Sequence, residues 1–298
     1  RVEVLKGPAS SLYGAVEPGG LINVIPKLPT FTSGGEVYGE YGSYDFYRAG
    51  VDVTAAGEKV AFRLVADYQD YGSFRDFLQG RSVFLSPSLT WRINDETRLT
   101  TWLWYQNVHR PHDNGVVFTP LGEPTGPISR NLSGPYNNRQ TIDDVLFGIQ
   151  LDHDITPDLT LRAKLLAHNF EAENDAIRTS GFVGANAIGA YYDASVFHNW
   201  QFDFIFDAQW KFELGPTKHL LILGTQLNRN DYYYERRTAN VAPIDIQRPV
   251  YPRGPYLLVP GFATQHVVTE AAGFYLQDQI DTLNDRLHIL IGGRFDYV

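Results

Sequence analysis

The side chains best suited to metal chemistry stand close together near position 110. His109 and His112 are three residues apart beside Asp113, a grouping of the kind that holds a metal ion. Pro111 lies between the two histidines and argues against a helix that would present them on one face. No further ligand is obvious nearby, so we expect polar loop residues here and no metal site.

A second grouping contains the functional groups of a hydrolase. Asp193, Ser195 and His198 supply a carboxylate, a hydroxyl and an imidazole. Any chain of this length offers such triplets, and the sequence has no GxSxG nucleophile elbow, no P-loop and no GxGxxG ahead of a helix. We therefore predict no catalytic residues and no enzyme activity.

Aromatic and basic side chains form a third group, suited to binding rather than catalysis. Aromatic rings offer large, stiff contact surfaces, and arginine attracts anions. The candidates fall in predicted loops and are Phe118, Phe182, Tyr191, Tyr192, Tyr232, Tyr233, Tyr234 and Arg236. For the three consecutive tyrosines a second interpretation stays open, because tyrosines at strand ends also form the interfacial girdle of membrane barrels.

Period-two alternation indicates the elements that must position these residues. In QFDFIFDAQWKF, residues 201–212, aromatic side chains fall on one face and mostly polar ones on the other, over a length unusual for soluble strands. Related patterns predict eleven strands, at about 35–42, 45–55, 59–71, 81–92, 96–107, 142–154, 158–171, 200–213, 218–230, 267–281 and 286–298. Only the strand at 96–107 has apolar side chains on both faces, as expected where a strand presses on an inner domain or its register slips.

The connections between these strands alternate in size. Short turns are predicted at 56–58, 94–95, 156–157, 215–216 and 283–285, and long excursions at 72–80, 108–141, 172–199 and 231–266. Turns at one end and long loops at the other are typical of outer-membrane barrels, whereas a soluble sandwich has no reason to alternate so regularly. The predicted fold is all-β, a transmembrane antiparallel barrel.

Composition narrows the function classes. The 298 residues carry a net charge of −9, which gives no electrostatic case for nucleic acid. Cysteine is absent, so a disulfide framework and a thiolate metal site are excluded. No stretch approaches the ~18 consecutive apolar residues of a membrane helix.

The first residues carry a resemblance to a known family. VEVLKGPASSLYG and EPGGLINVIPKLP, within residues 2–29, resemble the C-terminal third of the plug domain of TonB-dependent outer-membrane receptors. The EPGG form is similar to the siderophore branch, and to ferrichrome-type receptors in particular. Pro26 and the Lys27-Leu28-Pro29 run depart from the family pattern, and the resemblance holds despite both departures. The plug-motif positions are Gly7, Pro8, Tyr13, Gly14, Pro18, Gly19, Gly20 and Asn23.

The resemblance implies an architecture. Family barrels have about twenty-two strands around an N-terminal plug. By that measure, residues 1–34 are the end of the plug with its linker, and residues 35–298 are the N-terminal half of the barrel, a partial barrel of about eleven strands. The chain then looks like a piece of a longer receptor in the outer membrane of a Gram-negative bacterium, with outer-membrane lipid as a partner.

The resemblance also implies a function, namely TonB-dependent uptake of a ferric siderophore, of the hydroxamate type, bound by the plug and the extracellular loops. Iron would travel within the siderophore, so no cofactor is expected. The TonB-ExbB-ExbD complex would act through an N-terminal segment that is not in this sequence. Phe118 is assigned a ligand role because resembling receptors use aromatics in the corresponding loop.

Three alternatives remain. A TonB-dependent receptor could take another nutrient, such as cobalamin or a glycan, although the EPGG form speaks against cobalamin. A passive porin-like barrel has no need of the plug segment. A soluble β-sandwich binding module would fold in water without detergent.

Overall fold

A computed structural model describes residues 2–6, 20–119, 121–284 and 286–298 of the chain, with the side chains of 5, 6 and 260–263 set aside. The strands are β1 (Val2–Lys6), β2 (Gly20–Val24), β3 (Gly34–Gly42), β4 (Phe46–Ala56), β5 (Val60–Tyr71), β6 (Gly80–Arg92), β7 (Thr97–Arg110), β8 (Arg139–Thr156), β9 (Leu159–Phe182), β10 (Ala187–Leu214), β11 (Thr217–Asp245), β12 (Val259–Thr282) and β13 (Leu287–Tyr297). Within the described ranges, no helix has the length and apolarity needed to cross a membrane.

The strands form two antiparallel sheets. β1 pairs with β2, and Gly20, opposite Lys6, has a φ of 122° that favours glycine. β3 to β13 form an eleven-stranded sheet in which each strand pairs with the next in sequence, which confirms the predicted strand count. Asn23 lies in β2, whereas the other predicted plug-motif positions before Gly20 lie outside the described residues. The division at residue 34 stays a prediction.

The two faces of the large sheet have opposite chemistry. Polar side chains are buried on the face that we call the inner face: Asp52, Ser86, Ser88, Thr90, Thr100, Asp152, Asp203, Asp207 and Gln277. Large apolar side chains are exposed on the opposite, outer face: Phe62, Trp91, Phe147, Leu151, Phe202, Phe206, Trp210, Leu223, Leu227 and Phe274. A soluble sheet buries its apolar side, so this inversion confirms the predicted lipid-facing barrel wall.

Glycines on the inner face lie directly across from aromatic residues. The cross-strand pairs are Tyr38 with Gly50, Tyr71 with Gly80, Trp102 with Gly148 and Tyr275 with Gly224. In each pair a Cβ on the glycine would overlap the aromatic ring, so the ring must extend along the wall to the neighbouring strand. Trp102 belongs to the strand predicted with two apolar faces, and its pairing with β8 runs without a register shift.

Four strands are much longer than the sequence pattern indicates. β9, β10, β11 and β12 contain 24, 28, 29 and 24 residues, whereas about 9–11 residues cross a bilayer. The predicted loop 172–199 is therefore wrong, because only 183–186 connects β9 to β10. The predicted loop 231–266 shrinks to 246–258.

The side chains of β10 explain why the predicted strand began only at residue 200, whereas β10 begins at Ala187. Exposed Trp200 and half-buried Phe212 lie on its outer face, about 40 Å apart along the strand, or about 30 Å once tilted, near the height of a barrel's apolar band. Beyond Trp200 the outer face of β10 stays mostly apolar, at Ile188, Tyr192 and Val196, but much of it is covered by a buried cluster with neighbouring segments. The inner face there also carries the aromatic residues Tyr191 and Phe197, so the contrast between the two faces is weaker although the strand continues.

Candidate ligand-binding site

The linker between β2 and β3, residues 25–33, is held against the inner face. Lys27 Nζ lies 2.6 Å from Asp52 Oδ2, and Arg63 also pairs with that carboxylate, its Nε 2.7 Å from Oδ1. The Arg63 guanidinium donates to the Leu28 carbonyl at 3.1 Å, and Arg92 lies over the Phe31 ring at 3.5 Å. The end of the plug-like segment is thus fastened to the wall by charge and by ring contact.

The long connections at the other end of the sheet are packed rather than loose. A buried cluster, here called the rim core, joins them to β9, β10 and β11; it contains Leu132, Ile177, Ile188, Tyr192, Ala239, Ile244 and Ile246. Tyr256 stacks on Tyr192 with ring centroids 4.4 Å apart. Buried Arg75 fastens the 111–138 connection, donating to Asp113 at 2.7 Å and to the Ile128 carbonyl at 2.6 Å.

Two arginines converge on one carboxylate on the inner face, beyond the lipid-facing band. Asp193 of β10 is only 3% exposed. Arg236 of β11 contacts both of its oxygens at 3.1 Å, and Arg178 Nε of β9 lies 2.6 Å from Oδ2. Each arginine keeps about a third of its side chain exposed, so donors remain free for a ligand. We call these three residues the guanidinium site.

The surroundings of the guanidinium site are aromatic and polar. Tyr191 lies beside Arg236, with the guanidinium carbon 5.8 Å from the ring centroid. His112 Nε2 is 3.3 Å from Arg178 Nη1, and burial followed by the Arg178 charge lowers the pKa of this imidazole. A neutral histidine accepts a hydrogen bond from Arg178, which leaves the arginine as the cation.

Aromatic side chains continue along the same face toward the membrane. Phe197 makes edge contacts with Phe170 at 5.4 Å and with Tyr232 at 5.1 Å between ring centroids. Tyr234 pairs directly with Phe197 across β10 and β11. The inner face therefore presents a cationic region next to an aromatic one, a combination that suits a bulky ligand with a charged group.

The predicted site residues separate into three groups. Tyr191, Tyr232, Tyr234 and Arg236 lie on the inner face and are brought together there. Phe118 is 54% exposed in the 111–138 connection, and Phe182 is exposed at the end of β9. Tyr192 is on the outer face and buried in the rim core, and Tyr233 is on the outer face between His198 and His266. The position of Tyr233, just beyond Trp200, fits the girdle interpretation.

Sequence reasoning missed several inner-face residues, which are Phe170, Asn174, Arg178, Asp193 and Phe197. Most lie in segments that were predicted as loops, where no face could be assigned. A continued count of alternate residues from Gln201 back to Tyr191 would have placed Asp193 and Tyr191 on the inner face. No local signal indicates that Arg178 and Arg236 meet, because β10 lies between them.

The other sequence-level groupings are dispersed by the fold. His109 Nδ1 is 3.1 Å from Thr141 Oγ1, while His112 contacts Arg178 and Asp113 contacts Arg75. Over the part of the chain that the structure describes, no three His, Asp or Glu side chains are grouped to hold a metal ion. Asp193 and Ser195 lie on the inner face, and His198 on the outer face beside Glu171.

Known proteins are similar to this chain in sequence and in fold. Residues 85–298 match the family model described as TonB dependent receptor-like, beta-barrel. The metal-pseudopaline receptor CntO of Pseudomonas aeruginosa is 28% identical over 314 residues, which cover 99% of this chain and 43% of the relative. The ferrioxamine B receptor of Salmonella typhimurium is 26% identical over 314 residues, covering all of this chain and 43% of the relative.

A solved structure has a similar fold. The open form of the ferric-catecholate import receptor Fiu from Escherichia coli K12 superimposes with a TM-score of 0.87 at 20% identity, covering 99% of this chain and 49% of that one. The chain spans about 43% of the length of the curated relatives described above. It therefore belongs to the TonB-dependent receptor β-barrel family, a family of receptors and not of enzymes, and its exposed apolar band is the surface that meets the outer membrane of a Gram-negative bacterium.

Proposed function

We propose that the full-length protein takes up a ferric siderophore across the outer membrane, with the ligand bound above the plug. The observation that carries this proposal is the inner-face group of Tyr191, Tyr232, Tyr234 and Arg236, beyond the lipid band and facing the lumen side. Rings with polar tips beside a cation suit a chelate that arrives with its metal already coordinated. Exposed Phe118 is proposed as a further contact from the 111–138 connection.

The iron is cargo within the siderophore, so the protein itself needs no metal ligands. Energy for uptake would come from the TonB-ExbB-ExbD complex, acting through a segment N-terminal to this sequence. Two relatives support a metal chelate as the ligand, since one is named for metal-pseudopaline and the other for ferrioxamine B. The finer proposal is a hydroxamate siderophore, because the EPGG segment resembles ferrichrome-type receptors.

The test is a binding titration of the full-length receptor folded in detergent. Tryptophan fluorescence is followed while ferrichrome, a ferric catecholate, ferric citrate, cyanocobalamin and a glycan are added separately, each iron chelate also in its iron-free form. Submicromolar quenching by a ferric chelate, with none by its iron-free form, is the expected result. Response to cobalamin or the glycan alone would remove iron from the function, and a steady ion conductance in a planar bilayer would indicate a passive pore.

A further inference from the structure

The guanidinium site carries an uncompensated positive charge. Its two arginines share one carboxylate, and the ion pairs that either forms within the described residues involve only Asp193. His112 adds no compensating negative charge, and Asp113 is bound to Arg75. The site therefore has a net charge of one positive unit and suits a ligand group with a single negative charge.

A buried amide beside the site has no partner. Asn174 of β9 is 9% exposed, and neither its Oδ1 nor its Nδ2 has a hydrogen-bond partner in the protein. Asn174 pairs with Ser195 across β9 and β10, and Ser195 pairs with Arg236 across β10 and β11. These three residues thus form one row on the inner face. An unpaired buried amide is costly to folding, so its retention in this row points to a ligand group that satisfies it.

The geometry and charge of the two arginines favour a carboxylate over a phosphate. A guanidinium donates from a planar fork that matches the two oxygens of a carboxylate, and such charge-assisted bonds are among the strong ones. A phosphate group carries nearly two charges at neutral pH, which exceeds the net charge of the site. The aromatic neighbours Phe170, Phe197 and Tyr232 provide a surface for the body of the ligand on the membrane side.

We propose that Arg178, Arg236 and Asn174 bind a carboxylate that the metal chelate carries outside the coordination shell of its metal. The inference rests on the proposed function, because it assumes that a metal chelate binds on the inner face. It adds a ligand class, namely chelates with a free carboxylate, and it gives Asn174 a specificity role. A neutral chelate of the same shape binds more weakly at this site.

The experiment compares two probes with the same iron coordination. Ferric desferrioxamine B is used with its free amine either succinylated, which adds a carboxylate, or acetylated, which leaves the complex neutral. Both are titrated against the full-length receptor in detergent, beside the panel described above. We expect the succinylated complex to bind at least tenfold more tightly than the acetylated one.

Three variants identify the groups responsible. Arg236→Gln leaves Asp193 paired with Arg178 and is expected to reduce the preference for the carboxylate to less than threefold. Asn174→Leu replaces an unpartnered amide with an apolar side chain of similar size, so the fold is retained while carboxylate binding weakens. Arg237→Gln is the matched control, because Arg237 lies on the outer face beside Glu235 and is expected to keep the full preference.

Three results would overturn the proposal. The first is equal binding of the two complexes by the unmodified receptor, and the second is a preference that survives both Arg236→Gln and Asn174→Leu. Binding of a neutral or catecholate chelate from the panel, with neither desferrioxamine derivative bound and no effect of the variants, also contradicts it while leaving siderophore uptake intact. If no ferric chelate binds at all, the proposed function itself fails.

Discussion

Lys27 of the linker and Asp52 of β4 form an ion pair of 2.6 Å, and Arg63 shares the same carboxylate. Asp52 is 6% exposed, whereas Lys27 is about half exposed. The contact joins the segment that follows the plug-like motif to the first strands of the wall. It therefore fixes the position of the segment that follows the plug-like motif against the wall.

The first prediction concerns this attachment. Lys27→Met removes one partner of Asp52 and leaves Arg63 in place, so the wall should remain folded. A partly exposed ion pair contributes about 1 kcal/mol at most, and roughly fivefold faster amide exchange is expected at residues 27–33. Hydrogen–deuterium exchange of the folded full-length receptor measures it. Lys59→Met, at the exposed turn between β4 and β5, should leave exchange in the linker unchanged; equal rates in both variants contradict the anchoring role.

A second prediction tests the pairing of glycine with an aromatic ring. Gly148→Ala would place a methyl group inside the space of the Trp102 indole, so the ring must move or the strands must separate. Overpacking of this kind costs about 1–3 kcal/mol. The midpoint of thermal unfolding in detergent should fall. Gly181→Ala, in β9, is the control, because among the described residues no heavy atom lies within 4 Å of a Cβ there, and equal midpoints for the two variants would refute the packing role.

The two adjacent tyrosines of β10 are expected to respond differently to truncation. Tyr192→Ala empties part of the rim core and should destabilise it by about 3 kcal/mol. Tyr191→Ala removes a ring from the inner face and should weaken ligand binding with a smaller effect on stability. Thermal unfolding and the fluorescence titration are measured on both variants. The assignment of faces is wrong if Tyr191→Ala is the more unstable of the two.

The last prediction is a pH dependence of the 111–138 connection. Burial, with the nearby Arg178 charge, lowers the pKa of His112, so between the folded and the ordinary pKa the unfolded state binds more protons. Stability from this group is therefore present near pH 7 and is lost as the pH falls through that window, where the imidazolium would lie beside a guanidinium.

Hydrogen–deuterium exchange in residues 111–138 at pH 7 and pH 5, corrected for the intrinsic rate, should show loosening at the lower pH. His112→Gln should remove this difference. His109→Gln, near the same connection, serves as the comparison. A pH response that persists without His112 would assign it to another group.

The strands of the membrane-spanning wall could be predicted from the sequence, whereas their extensions beyond the membrane could not. Where the outer face meets lipid, as at Phe202 and Phe206, apolar and polar residues must alternate, so the eleven strands could be predicted. Beyond Trp200 the outer face packs into the rim core, while the inner face carries the aromatic residues Tyr191 and Phe197. Apolar side chains then occur on both faces and the alternation weakens, so the extensions of β9 to β12 were assigned to loops.

The candidate site was predictable only in part, for the same reason. Tyr191, Tyr232, Tyr234 and Arg236 were selected by residue type, without knowledge of which face they occupy. Tyr191 and Tyr192 lie on opposite faces of the sheet because successive side chains of a strand point in opposite directions. The meeting of Arg178 with Asp193 depends on the register between β9 and β10, which the pairing of whole strands determines.

The four aromatic rings that lie across glycines have a consequence for the space inside the barrel wall. Rings that stood upright would narrow the bore and would have to turn aside whenever a bulky object passed. The rings of Tyr38, Tyr71, Trp102 and Tyr275 instead lie flat against the wall, over the facing glycines. The glycines therefore leave more open space on the inner side of the sheet without thinning the wall.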